Sequence, residues 1–299
     1  MVTKDIIASW FQELQDDICS QLESLSPGYH FVQDKWKRPE GGGGRTRVIK
    51  SEVFEKGGVN FSAVEGPLPQ QAEKSLGISG KEFFATGVSI VLHPINPWIP
   101  IIHMNVRYFE MDNNIWWFGG GIDLTPHIII PEQAKGFHQG LKNTCDKHSK
   151  DYYPKFKTWA DDYFYLPHRK ETRGVGGIFF DRLSNTDGFE KQDRWDFVKD
   201  VGQTFCKVYL PIVKENSHLL ARKTDKQWQM LRRGRYTEFN LVWDRGTKFG
   251  LHTNGRTESI LMSLPPVVHW EYNTDLSDKP PYKDTQAKLT KGIDWVNWT

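Results

Sequence analysis

The chain has 299 residues, with 39 lysines and arginines against 37 aspartates and glutamates. The formal net charge of +2 excludes a general attraction to nucleic acid or acidic membranes, so any anion must be recognised by local groups. This length can bury a substantial core, and we predict a single domain over residues 1–299.

The cysteines and the N-terminal segment predict the compartment. Cys19, Cys145 and Cys206 are far apart and form no CxxC motif, so we expect buried structural thiols rather than zinc ligands, a disulfide framework or a catalytic cysteine. The segment MVTKDIIASWFQELQDD lacks the features of a signal or transit peptide. No later run is long and apolar enough to cross a membrane. We therefore predict a cytoplasmic protein.

The first half of the chain predicts one helix and then strands. Apolar residues recur at the spacing of a helical face from Ile6 to Leu25. The glycine run Gly41 to Gly44 lacks the Lys-Ser/Thr ending of a phosphate-binding loop, and both a flap over a ligand and a flexible linker fit it. Strands are predicted over GVSIVLH, PIIHMNVRYFEM and IWWFG.

The second half mixes helices and strands. Helices are predicted from Pro131 onward, over DYYPKFKTWADDYFYL, and from Trp195 to about Val213. Strands are predicted over GIFFDRL, RYTEFNLVWD, TKFGLHT and SILMSLPP. The last three strands follow each other too closely for crossover helices, so we expect them to pair antiparallel. The pattern predicts an α+β fold in which helices flank one large antiparallel sheet.

One face of this sheet is predicted to be polar. Because side chains alternate along a strand, His103, Asn105 and Arg107 point to one side, and Ser89 and His93 share a face of the preceding strand. The segment RYTEFNLVWD repeats the pattern with Tyr236, Glu238, Asn240 and Asp244. A solvent-facing sheet is one explanation. We favour a cleft for a ligand with an apolar body and charged edges, because Lys, Glu and Thr are more usual on solvent-facing strands.

Several arginines predict that the charged edges of the ligand are anionic, since guanidinium groups hold carboxylates in a bidentate fork. These arginines are Arg45, Arg47, Arg107, Arg245 and Arg256. For most of them a structural ion pair is the favoured alternative. Arg107 is the exception, because it lies inside a strand beside other polar residues.

Four histidines raise the question of a metal: His93, His103, His138 and His168. They lack the HExxH or HxH spacing that would hold one ion. Hydrogen-bonded or acid/base histidines are therefore favoured over a metal site.

Long motifs resemble those of a known family. HPINPWIPIIHMNVRYFE, WWFGGGIDLTP, YFYLPHRKETRGVGGIFFD and RRGRYTEFNLVWDRGTKFGLHTNGRTESILMSLPP are similar to the oxygen-dependent coproporphyrinogen III oxidases of haem biosynthesis. The likeness runs from the first helix to DWVNW near the C-terminus.

The resemblance implies a cytoplasmic homodimer built on a flat antiparallel sheet with helices on both faces. It implies that two propionates of coproporphyrinogen III are oxidatively decarboxylated to vinyl groups, giving protoporphyrinogen IX. Dioxygen is the implied oxidant, carbon dioxide and hydrogen peroxide are released, and no organic cofactor takes part. The segment from Tyr236 to Glu271 would lie in the dimer interface.

Matched position by position, the resemblance also implies roles for single residues. The implied substrate contacts are Ser89, Asn105, Arg107, Asn254, Gly255 and Arg256. His103 matches the proton donor, while Asp123, Asp244 and Arg245 match positions regarded as essential. The four histidines match metal ligands proposed for bacterial relatives, although a metal is not general to the family, and a divalent metal is left open. Ile128 and Arg182 depart from the family pattern, where an aromatic residue and an acid are usual.

These assignments lead to a hypothesis for the chemistry. Asp123, beside three glycines that would let a bulky ring approach, is a candidate to hold pyrrole N–H groups, and capping of the following turn is its alternative role. Asp123 or Asp244 would assist pyrrole deprotonation, His103 would transfer protons, and Arg107, Arg245 and Arg256 would hold propionates. A metal-dependent oxygenase and a non-catalytic porphyrin carrier are the rival functions.

Overall fold

A long run of β-branched, aromatic and glycine residues in the first half of the chain forms most of one antiparallel sheet. The computed structural model describes residues 2–70, 73–74, 77–253, 255–274 and 278–299. The sheet strands are β1 Val32–Lys37, β2 Gly42–Ile49, β3 Phe54–Pro67, β4 Glu82–Pro94, β5 Ile101–Met111, β6 Trp116–Thr125 and β9 Gly176–Leu183. They lie in the order β1-β2-β3-β4-β5-β6-β9, and β7 Tyr165–Leu166 pairs with β8 Glu171–Thr172 apart from the sheet.

Helices surround the sheet. Their bounds are α1 Lys4–Glu23, α2 Pro131–Asp146, α3 Tyr152–Tyr163, α4 Lys191–Asn216, α5 Lys223–Glu238, α6 Arg245–His252, α7 Thr257–Leu261 and α8 Tyr282–Ala287. A short π-helix over Phe239–Trp243 connects α5 to α6. A π-helical turn inside or beside an α-helix is frequent at functional sites.

The face of the sheet that carries Met104, Val106 and Tyr108 is the core face, and all three side chains are buried. Helix α1 packs on β3 and β4, and α4 packs on β5 and β6. Their apolar faces and the strand residues form one continuous hydrophobic cluster. The removal of this surface from water is the main favourable contribution to folding.

The opposite face, which carries His103, Asn105 and Arg107, is the polar face. Helices cover part of it: Tyr236 of α5 packs against Val91 and Ile101. Beyond α7, the Ser263 carbonyl accepts a hydrogen bond from the imidazole of His93. Helices therefore lie on both faces, and the predicted α+β single-domain class is confirmed.

The elements before residue 217 agree with prediction in part, because β1, β2 and β3 were not predicted as strands. The four expected helices correspond to α1, α2, α3 and α4, although α4 begins and ends beyond the predicted range. The strands expected before residue 120 and over residues 177–183 correspond to β4, β5, β6 and β9. All three cysteines are buried free thiols, as expected.

The three strands predicted over RYTEFNLVWD, TKFGLHT and SILMSLPP are wrong. These segments belong to α5, the π-helix, α6 and α7. The buried residues Trp228, Leu231, Arg232 and Tyr236 recur every three or four positions, which is the helical period. The apparent alternation in this segment arose from β-prone residue types, whose preference tertiary packing overrides.

The glycine run Gly41 to Gly44 was expected to be a flap or a linker, which is also wrong. Residues from Gly42 onward form β2, paired with β1 and β3. A Cβ on Gly44 would lie 2.3 Å from the Trp36 ring, so the missing side chain lets the indole lie across the strand. This close approach explains why glycine suits this strand.

No helix in the described part of the chain is long and apolar enough to cross a membrane.

Candidate active site

The register of β5 and β6 brings His103 beside Asp123. The two residues are direct cross-strand partners on the polar face. The imidazole Nδ1 lies 2.8 Å from the Asp123 Oδ1. The His103 side chain is 24% exposed whereas that of Asp123 is 2% exposed, so the histidine covers the carboxylate from solvent. This geometry fixes the orientation of the ring and leaves its Nε2, which has no hydrogen-bond partner among the described residues, for a ligand.

A second buried residue completes this arrangement. The Arg173 guanidinium donates through Nη2 to the Asp123 Oδ2 at 2.7 Å and through Nη1 to the Asn240 Oδ1 at 2.9 Å. Its charge also lies within 5 Å of the ring centroids of Phe164, Tyr236 and Phe239. The π-helix places Asn240 and Phe239 on this side of α5. His103, Asp123, Arg173 and Asn240 thus form one continuous hydrogen-bonded chain on the polar face.

The electrostatics of the chain keep Asp123 ionised. Burial alone would raise the pKa of Asp123, but the charge of Arg173 and the hydrogen bond from His103 outweigh burial and hold this pKa below its ordinary value. Both carboxylate oxygens are engaged by protein groups. The side chain therefore faces His103 and Arg173, and not an open surface where pyrrole nitrogens would lie.

Arg107 lies two rows further along the same face. Its Nη2 donates to the Asp181 Oδ1 at 2.9 Å, and its Nη1 donates to the Asn105 Oδ1 at 3.2 Å. The Arg107 side chain is 40% exposed and that of Asp181 is 31% exposed. This guanidinium is accessible to an anionic ligand, unlike that of Arg173.

Neighbouring protein groups occupy the space next to the three glycines of WWFGGGIDLTP where side chains would lie. A Cβ on Gly119 would lie 2.5 Å from the Asp181 Oδ1, and one on Gly120 would lie 2.9 Å from the Phe180 ring. A Cβ on Gly121 would lie 2.7 Å from the Ile178 carbonyl oxygen and 3.3 Å from the Phe179 ring, both in β9. The missing side chains admit these protein groups and do not leave empty space for a ring.

Asp244 and Arg245 begin α6. The Asp244 carboxylate accepts from the Tyr163 hydroxyl at 2.6 Å, and from the Thr247 backbone N–H at 2.8 Å, which caps the helix. Burial would raise the pKa of Asp244, but these hydrogen bonds lower it. The exposed Arg245 guanidinium lies 5.9 Å from the centroid of the Tyr163 ring.

The remaining predicted substrate contacts are divided between two places. Ser89 is the cross-strand partner of Asn105 and lies beside it on the polar face. Arg256 begins α7 and pairs with Asp34 of β1 at the opposite edge of the sheet. Gly255 is exposed beside Arg256, and Asn254 lies outside the described residues.

The four histidines lie apart, and each has its own hydrogen-bond partner. His93 and His138 are buried and bond to the backbone carbonyls of Ser263 and Val175, and burial lowers the pKa of each to about 3. The His103 ring is held by Asp123, and His168 bonds to Glu238 at the surface. In the described ranges, no group of three or more His, Cys, Asp or Glu side chains is arranged to hold a metal ion.

The sequence did not point to Arg173 or Asp181, and the only signal for these two residues was that both lie inside the quoted motifs. Asn240 was expected on the polar face as part of a strand, but it lies in the π-helix, and its contact with Arg173 was not predicted. Arg45 and Arg47, by contrast, pair with Asp16 of α1. These two arginines therefore form structural ion pairs, as the alternative for them predicted.

Ile128 and Arg182, which depart from the family pattern, both lie against aromatic side chains. Ile128 is buried against Trp228 and Tyr282. Arg182 has a left-handed backbone φ of 52°, and its guanidinium lies 5.7 Å from the Trp117 ring.

The arrangement suits acid/base chemistry at His103 on a ligand whose anionic group reaches Arg107. A family model described as coproporphyrinogen III oxidase matches residues 6–295. This match covers nearly the whole chain and includes every residue of the arrangement above. The chain belongs to the coproporphyrinogen III oxidase family.

Proposed function

We propose that this chain is the oxygen-dependent form of the enzyme, which converts two propionates of coproporphyrinogen III into vinyl groups and yields protoporphyrinogen IX. The 2.8 Å contact between the His103 Nδ1 and the Asp123 Oδ1 carries the proposal, because it gives an oriented acid/base group on an accessible face. The family match supports the choice of substrate.

The reaction balances with dioxygen as the only oxidant. For each propionate, the bond to the carboxyl carbon breaks and carbon dioxide leaves. The carbon next to the pyrrole loses a hydrogen, and the electron pair of the broken bond forms the vinyl double bond. A proton and two electrons from that carbon, with one further proton, reduce dioxygen to hydrogen peroxide. The electron-rich pyrrole can pass these two electrons from the adjacent carbon to dioxygen and is itself unchanged overall, so we propose dioxygen as co-substrate and no organic cofactor.

We assign proton transfer to His103 and not to a carboxylate. A carboxylate with a lowered pKa is a weak base, and both Asp123 and Asp244 have lowered pKa values. Asp123 would instead hold the imidazole in one orientation through its contact with the His103 Nδ1. Asp244 would act by holding the start of α6, and with it Arg245 beside Tyr163.

Arg107 is the proposed main propionate contact, with Ser89 and Asn105 beside it. Arg107→Ala is expected to weaken binding of coproporphyrinogen III by about 1.5–3 kcal/mol, the contribution of a hydrogen bond to a charged group. Tryptophan fluorescence quenching during an anaerobic titration measures this affinity. An unchanged dissociation constant would remove Arg107 from the binding site. Arg245 and Arg256 are proposed to contact other propionates, together with Asn254 and Gly255.

Conversion of coproporphyrinogen III under air tests the proposed activity. The product is separated, oxidised and detected by porphyrin fluorescence, and the enzyme is expected to form protoporphyrinogen IX. A porphyrin carrier would bind the ligand and return it unchanged. A metal-dependent oxygenase would lose turnover after chelation and regain it with added divalent metal, whereas we expect turnover to persist.

We also infer that the enzyme acts as a homodimer in the cytoplasm. The segment between residues 241 and 272 exposes several large apolar side chains, which are typical of an interface. They are Leu241, Val242, Trp243, Leu251, Val267, Trp270 and Tyr272. Sedimentation equilibrium would detect the dimer, and a monomer at all concentrations would contradict it.

A further inference from the structure

On the polar face, the Arg–Asp pairs formed by Arg173 and by Arg107 differ in accessibility. Arg173 and Asp123 are 3% and 2% exposed. Arg107 and Asp181 are 40% and 31% exposed, although their 2.9 Å contact is nearly as short. For an exposed pair, the equilibrium constant between the paired and the separated state is only between about 1 and 5. Separation of a buried pair, by contrast, leaves an uncompensated charge inside the protein. Of these two pairs, only Arg107–Asp181 can be opened easily by an incoming anion.

The local backbone is built to form this pair. Arg107 is the cross-strand partner of Gly119, and a Cβ at Gly119 would lie 2.9 Å from the Arg107 Nε. The pairing of β6 with β9 is irregular between Phe118 and Gly120, next to Asp181. The guanidinium therefore lies over a glycine, and it donates through one nitrogen to Asn105 and through another to Asp181.

We propose that Asp181 is an internal competitor that occupies the propionate site of Arg107 until substrate arrives, and so sets how tightly carboxylated tetrapyrroles bind. This proposal deepens the proposed function and depends on it. A propionate that bonds to Arg107 must displace the Asp181 carboxylate, which shares the same acceptor chemistry. The bond to Asp181 also holds the Arg107 guanidinium in one position, so the binding site is formed before substrate arrives.

The competition has a definite size. If the equilibrium constant for closing the Arg107–Asp181 pair is between about 1 and 5, about one half to one sixth of the molecules have a free Arg107. The apparent affinity for a carboxylated ligand is then reduced about two- to six-fold. Asp181→Asn keeps the side-chain shape and removes the charge. It is expected to tighten coproporphyrinogen III about two- to six-fold and to lower KM without raising kcat.

A double-mutant cycle tests the proposal. Dissociation constants for coproporphyrinogen III are measured anaerobically for the wild type, Asp181→Asn, Arg107→Ala and the double variant. The tightening by Asp181→Asn is expected in the wild-type background and absent in the Arg107→Ala background. Coproporphyrinogen tetramethyl ester, which has no carboxylates, should bind equally to the wild type and Asp181→Asn.

Asp196→Asn is the matched control, because Asp196 pairs with Lys199 on α4, on the core-face side of the sheet. It changes the net charge equally and should leave affinity unchanged. Equal tightening by Asp196→Asn, tightening that persists without Arg107, or no tightening by Asp181→Asn would overturn the proposal. Failure of the wild type to bind coproporphyrinogen III at all would instead reject the proposed function.

Discussion

His103→Ala is expected to lower kcat for coproporphyrinogen III oxidation by about 10²–10⁴-fold, the usual contribution of a positioned general acid or base. The fold should survive, because Asp123 keeps its bond to Arg173 and the His103 side chain is partly exposed. The measurement is the initial rate of product formation under air, with substrate affinity determined separately without oxygen.

His30→Ala is the control for this variant. The His30 side chain is 76% exposed and, among the described residues, pairs with Glu23 near the end of α1. Its kcat should equal that of the wild type. Full activity of His103→Ala would show that proton transfer depends on another group.

Asp123→Ala is expected to lower the free energy of unfolding by about 3–5 kcal/mol, because Arg173 would keep its charge in a buried position without a carboxylate. Asp181→Ala, which opens the exposed pair, should cost at most about 1 kcal/mol. Urea denaturation of both variants makes the comparison. Equal losses of stability would contradict a buried Arg173–Asp123 ion pair.

A second variant separates stability from chemistry. In the double variant Asp123→Ala with Arg173→Met, no unpaired charge remains, so much of the lost stability should return. Activity should stay low, because His103 would still lack the group that orients it. Return of full activity with stability would show that Asp123 acts only on the fold.

Acidification gives an independent check on Asp123. Its folded-state pKa lies below the ordinary value of 3.8, so the ionised carboxylate stabilises the fold fully above that value. This contribution is lost as the pH falls through the folded-state pKa. The stability difference between the wild type and Asp123→Ala should therefore shrink below about pH 3.8.

The sequence predicted the strands at the centre of the site because their alternation is strong. The position of Asp123 opposite His103 was not among these predictions, because the expected strand IWWFG ended at Gly119 whereas β6 extends to Thr125. His103, Asn105 and Arg107 share a face through the two-residue period of a strand. The fold class followed from the same pattern. These features depend on neighbours in sequence, which a single chain displays.

Helix α5 and the helical segments that follow it could not be predicted in the same way. Tyr236, Phe239 and Asn240 are poor helix formers on average, and they are helical because they pack over the sheet and around Arg173. The partners of Arg107 and Asp123 were missed for a related reason. Asp181 and Arg173 are 74 and 50 positions away along the chain, and only the three-dimensional fold brings them close.

The central claim is that His103 and its partners carry out oxygen-dependent decarboxylation. Its most direct test is to measure dioxygen uptake and carbon dioxide release together during aerobic turnover of coproporphyrinogen III, with an anaerobic sample alongside. We predict one molecule of dioxygen consumed for each carbon dioxide released, and no product without oxygen. Formation of protoporphyrinogen IX in the anaerobic sample, or carbon dioxide release without dioxygen uptake, would contradict the claim.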